Sequence, residues 1–98
     1  MIHPTIGRVV WFMPRTGDER LQKYDPPFAA IVCYVWTVSE VNLLVIGPEG
    51  TVESQLNVAL VQEDNEAPTD VAYCTWMPYQ KGQAARLEAE IAKNALAQ

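Results

Sequence analysis

The chain is expected to fold as a small, mainly β barrel of five antiparallel strands followed by one C-terminal α-helix. Three observations carry this expectation. Five stretches rich in β-branched and aromatic residues alternate with turns bearing Gly, Pro and Asp over residues 1–80. The hydrophobic period then changes from two to between three and four in the Ala-rich tail, 81–98. Finally, 98 residues make a single core, so barrel and helix belong to one domain.

Residues 5–13 (TIGRVVWFM) read as the first strand, which stops at Pro14. Alternation places Val9, Trp11 and Met13 on one face, expected to be the core face, and Arg8, Val10 and Phe12 on the other. Residues 14–27 are polar, end in Asp25-Pro26-Pro27, and form a loop long enough to carry function. Residues 28–37 (FAAIVCYVWT) are apolar on both faces. That pattern suits a central strand covered on both sides, or a strongly bent one shared between two sheet layers. Residues 41–46 return with Val41, Leu43 and Val45 on one face, and Gly47-Pro48-Glu49-Gly50 is a turn.

From Thr51 onward Val52, Leu56, Val58 and Leu60 alternate against Glu53, Gln55 and Asn57, the pattern of a half-buried strand with a bend near Ser54. Residues 62–70 form an acidic, turn-rich loop. Residues 71–77 make the last strand, with Ala72, Cys74 and Trp76 on one side, and Pro78 ends it. The helix is expected over 82–98, where Ala84, Leu87, Ile91 and Ala95 form a narrow apolar stripe. Short links between sequential strands point to a meander that curls into a barrel. A terminal helix fits an SH3-like barrel better than an OB-like one, whose helix falls between the third and fourth strands.

Composition is 49% hydrophobic and 19% charged, as a packed chain requires. The formal charge of -5 excludes a generic nucleic-acid binder that blankets phosphates with positive charge. Charge is also segregated. Residues 1–23 carry Arg8, Arg15, Arg20 and Lys23 against two acids, whereas residues 24–79 carry eight acids and no Lys or Arg. Such segregation can create a local positive patch, in which Arg15 and Arg20 are candidate anion-binding residues; the simpler reading is a solvated loop. No run approaches the ~18 apolar residues of a spanning helix, and the start Met1-Ile2-His3-Pro4 lacks the basic and apolar regions of a secretory signal. The expected address is cytoplasmic, with no membrane association.

Enzyme readings fail on inventory. The one histidine, His3, lies near a terminus expected to be mobile, and no Cys-His or Ser-His-Asp set can be drawn without it. No phosphate-cradling Gly-rich loop is present. Glu63-Asp64-Asn65-Glu66 lacks the ligand spacing of a calcium loop, and Cys33 and Cys74 match no metal or redox spacing. No catalytic residue, metal or cofactor is therefore expected.

Aromatic residues are more informative. Trp36 and Trp76 each end an apolar strand beside a turn, and Tyr79 follows Pro78. With Arg8 they form the candidate binding surface, of the kind barrels use for peptides. The alternative is that Trp11 and Trp76 plug the barrel while the tyrosines cover its rim. Leu87 and Ile91, the large members of the helical stripe, either cover the open barrel end or pair with a second copy; a homo-oligomer is expected.

The segments IGRVVWF (6–12), FAAIVCYVW (28–36), VNLLVIGPEGT (41–51) and YCTWMPYQ (73–80) resemble a family of small, uncharacterised bacteriophage and prophage proteins. The family pattern is G-R-x-V-x-[FY], then A-A-I-V, then L-x-V-x-x-P-x-G, then W-x-[WP]-P. The resemblance covers residues 5–80 and departs at Met77, where many relatives carry Trp. It implies a phage origin and a compact barrel, and no reaction. The expected function is thus a non-enzymatic, phage-encoded accessory module that contacts a host or phage protein in the host cytoplasm. One alternative is a protein that sequesters a nucleotide signal and so counters antiviral defence. A further alternative is a minor virion component.

Overall fold

A computed structural model describes residues 1–15, 25–62 and 66–97. It contains five strands, β1 (Val9–Met13), β2 (Phe28–Thr37), β3 (Glu40–Ile46), β4 (Val52–Val61) and β5 (Tyr73–Thr75), followed by helix α1 (Pro78–Ala97). The strands close into a barrel in sequence order, with β5 returning to β1. The expected mainly β, SH3-like barrel with a C-terminal helix is what the chain forms. One junction departs from the all-antiparallel expectation: β4 and β5 run parallel, Leu60 opposite Cys74. No tight hairpin joins them, since β4 ends at Val61 and β5 begins only at Tyr73.

The core consists of alternate residues from every strand, among them Val10, Phe12, Phe28, Ala30, Val32, Val41, Leu43, Val45, Val58, Leu60 and Cys74, with Trp76 just past the end of β5. In β3 the expected face is buried: Val41, Leu43 and Val45 point inward. In β1 the faces are reversed from expectation. Val10 and Phe12 are fully buried, while Trp11 and Met13 are half-buried and Val9 is exposed. Every residue of VVWFM is apolar, so alternation cannot rank its two faces; register decides, setting Val10 against Ala30 and Phe12 against Phe28. Arg8 does not drag Val10 outward, because Gly7 turns the chain just before the strand, with φ 95°.

Bulges explain the other departures. β2 is apolar on both faces because it bends, not because both faces are covered. Register shifts between Val32 and Tyr34 and between Val35 and Thr37 leave Val35 packed on the core and turn Tyr34 and Trp36 outward. In β4, Val41 faces Val58 but Leu43 faces Gln55, so three steps on β4 match two on β3. The extra residue sits at Asn57, whose φ of 54° is in the left-handed region. Parity flips there. Val58 and Leu60 are buried as expected, but Val52 and Leu56 are exposed.

Helix α1 begins four residues earlier than expected. Pro78 takes the first helical position, where its missing N–H costs nothing. Gln80 caps the start by accepting the Met77 N–H at 2.9 Å, and its amide also donates to the Val9 carbonyl at 2.8 Å, tying helix to β1. Beyond this latch the helix leaves the barrel, giving the molecule extents of 55 × 24 × 24 Å. It does not cover the open barrel end: Leu87 is 58% and Ile91 60% exposed. No helix is long and apolar enough to cross a membrane among the described residues.

Candidate functional site

The bend in β2 and the bulge in β4 build one feature on the outer face of the barrel. Tyr34 pairs with Asn42 across β2 and β3, and the bulged segment of β4, Leu56 and Asn57, lies on the other side of Asn42. The Tyr34 and Trp36 rings meet edge to face, with centroids 4.8 Å apart and planes at 71°, a favourable aromatic geometry. Trp36 is 52% and Tyr34 48% exposed. The indole N–H of Trp36 donates to Asn42 Oδ1 at 2.9 Å, and the same oxygen accepts the Asn57 backbone N–H at 2.8 Å. Asn57 Nδ2 in turn donates to Glu40 Oε2 at 3.2 Å. One asparagine thereby fixes both the bulge and the aromatic pair, so Trp36 is held at the surface in a defined orientation.

Trp76 does not join this surface. It is 1% exposed, the largest fully buried side chain, and its N–H donates to Gln62 Oε1 at 3.0 Å. Its expected place in the binding surface is corrected: β5 continues its alternation past Cys74, and the inward side is the Trp76 side. Of the two readings offered for Trp11 and Trp76, the plug is Trp76 alone. Burial also pushes the Cys74 thiol up from 9.0 to about 12, leaving it a small hydrophobe; Cys33 is exposed.

Arg8 and Tyr79 come together elsewhere. Both line an open groove of about 640 Å³ between the N-terminal segment and α1, which Arg86 and Leu87 also line. Trp36 is not among its lining residues. The Tyr79 hydroxyl accepts from Gln83 Nε2 at 2.9 Å and the ring is exposed. Glu88 and Glu90 line the same groove, so the two guanidiniums share it with two carboxylates. Arg15 is exposed at the end of β1, and Arg20 lies outside the described residues.

The four residues expected to act together therefore divide into three places: Trp36 on the outer sheet, Arg8 and Tyr79 in the groove, and Trp76 in the core. Tyr34, Asn42 and Gln62 were missed by sequence reasoning. Tyr34 had a signal, being two residues from Trp36 and so on the same strand face. Asn42 and Gln62 had none, since an amide in a strand does not disclose which N–H it serves. No family model, curated protein or solved structure gives a significant match to the chain.

Proposed function

We propose that the protein is a non-enzymatic binding module that contacts a host or phage protein through the outer sheet face carrying Tyr34 and Trp36. The observation that carries this reading is the Trp36–Asn42 hydrogen bond beside two half-exposed rings. Large aromatics are the residues that anchor interfaces, and an orientation fixed in advance lowers the ordering cost of binding. A phage origin and action in the host cytoplasm rest on the sequence resemblance over residues 5–80. The test is affinity purification from the host with wild type, Tyr34→Ala and Trp36→Ala. A protein recovered by wild type, lost by both variants and bound directly when purified is the expected result. Identical recovery by all three would overturn the reading.

The groove favours a second reading, sequestration of a nucleotide signal in antiviral defence. Arg8 and Arg86 suit a phosphate and Tyr79 a base, while Glu88 and Glu90 oppose an anion there. Native mass spectrometry of protein from infected cells checks it: a co-purified nucleotide lost with Arg8→Gln supports sequestration, and a bare chain counts against it.

A further inference from the structure

We infer that the face formed by Tyr34, Trp36, Glu40 and Leu56 takes a cationic segment of its partner, one that interleaves Arg or Lys with apolar residues. This rests on the reading that the outer sheet face binds a protein, and adds the chemistry of what it binds.

Three observations converge on positive charge. Trp36 spends its only polar group on Asn42, so what the ring offers a partner is its π-face. Beside it, Tyr34 stands at 71°, and two rings meeting at that angle form an open corner. A guanidinium or ammonium over such a face is attracted by the ring quadrupole, Trp giving the strongest attraction.

The second observation is Glu40. Its Oε2 accepts from Asn57 Nδ2 at 3.2 Å, and its other oxygen has no partner among the described residues. The same network that orients Trp36 thus places a carboxylate at the edge of the aromatic corner, where it supplies a charge-assisted acceptor.

The third is the field. From residue 24 to residue 79, which includes all of β2 to β5, the chain has eight acids and no Lys or Arg. No cation from these strands competes for the rings or for Glu40, and an acidic partner segment would meet the Glu40 carboxylate with no basic strand residue to offset it. Leu56, exposed on the same row as Tyr34 and Asn42, gives the apolar part of the segment a contact. A carboxylate beside an aromatic corner, on strands that carry no Lys or Arg, selects a basic, amphipathic segment over a neutral or acidic one.

A photoreactive phenylalanine in place of Leu56, introduced in the full chain expressed in the host, reads the partner segment directly. The expected product is a cross-link to a stretch rich in Arg or Lys, absent when Trp36→Ala is added. A Trp36-dependent cross-link to an uncharged or acidic stretch overturns the inference while leaving the binding reading standing. The absence of any Trp36-dependent product overturns both. In parallel, a short peptide alternating Arg and Leu is titrated by calorimetry against a Glu–Leu counterpart. Wild type should bind only the Arg peptide, and Trp36→Ala and Glu40→Gln should each weaken it about fivefold or more. Glu40→Gln covers the possibility that losing the Trp36 ring loosens the bulge. Undiminished binding by both variants would mean diffuse charge attraction and overturn the inference.

Discussion

Inside the barrel, Gln62 Oε1 accepts the indole N–H of Trp76 at 3.0 Å. The same amide oxygen accepts the Ile2 N–H at 3.3 Å, and Nε2 donates to the carbonyls of Ile2 and Val38, each at 2.8 Å. A buried, uncharged side chain with both ends satisfied ties the N-terminal segment, the β2–β3 turn and the end of β5 to one point. Gln62→Leu removes all four bonds at similar volume and leaves the Trp76 N–H without its acceptor in the core. The expected loss is about 1–3 kcal/mol, read by chemical denaturation with an unchanged slope. A variant as stable as wild type would mean that the amide is not a structural tie.

The reversed faces of β1 change which aromatic carries stability. Trp11 is half-buried on the outer face between Ala29 and Thr75, whereas Phe12 and Trp76 lie wholly inside. Truncating a fully enclosed aromatic costs about 3–5 kcal/mol, a large share of a small domain's stability. Phe12→Ala and Trp76→Ala should therefore melt far below wild type or fail to fold, and Trp11→Ala should remain folded with a smaller shift. Unfolding of Trp11→Ala alone would return Trp11 to the core.

How much of this was legible depends on whether polarity broke the symmetry of a strand. β3 could be read outright, because polar Asn42 marks the face opposite Val41, Leu43 and Val45 and no bulge follows Leu43. β1 could not, since both faces are apolar. β4 shows the opposite failure: its alternation is the cleanest in the chain, yet the bulge at Asn57 flips the face halfway, so a good pattern gave a wrong answer for Val52 and Leu56. A bulge is a register event between two strands and leaves little trace in either one. The candidate site inherits this: Trp36 was legible as an aromatic beside a turn, but its partnership with Asn42 depends on that bulge.

Cys74 gives a pH dependence with a definite sign. Burial holds its thiol protonated, with the folded pKa about 12 against an ordinary 9.0. Between these values the unfolded chain has released the proton and the folded chain still binds it, so stability falls as pH rises. Its contribution is whole below pH 9 and is lost progressively from there towards pH 12, by up to about 1.4 kcal/mol per pH unit. Urea melts across this window should show Cys74→Ala less stable than wild type at neutral pH but with a shallower alkaline decline. A thiol reagent should label the exposed Cys33 at once and Cys74 only on unfolding; rapid labelling of both in the native protein would contradict the burial.

Helix α1 presents Leu87 and Ile91 to solvent. After the Gln80 latch to Val9, its side chains from Ala85 to Asn94 are exposed, and among the described residues no strand covers Leu87 or Ile91. Two consequences separate cleanly. Because the barrel closes without the helix, changing both Leu87 and Ile91 to Glu should leave the fold intact, with a melt close to that of wild type, and removal of residues 93–98 should be tolerated for the same reason. The small Ala side chains flanking Leu87 and Ile91 also permit close approach of a second helix, so wild type is expected to sediment as a dimer or larger closed oligomer. Adding two carboxylates to that stripe should convert it to a folded monomer. Unfolding of the double variant would mean that the helix supports the barrel after all, and monomeric wild type at tens of micromolar would discard self-association through this face.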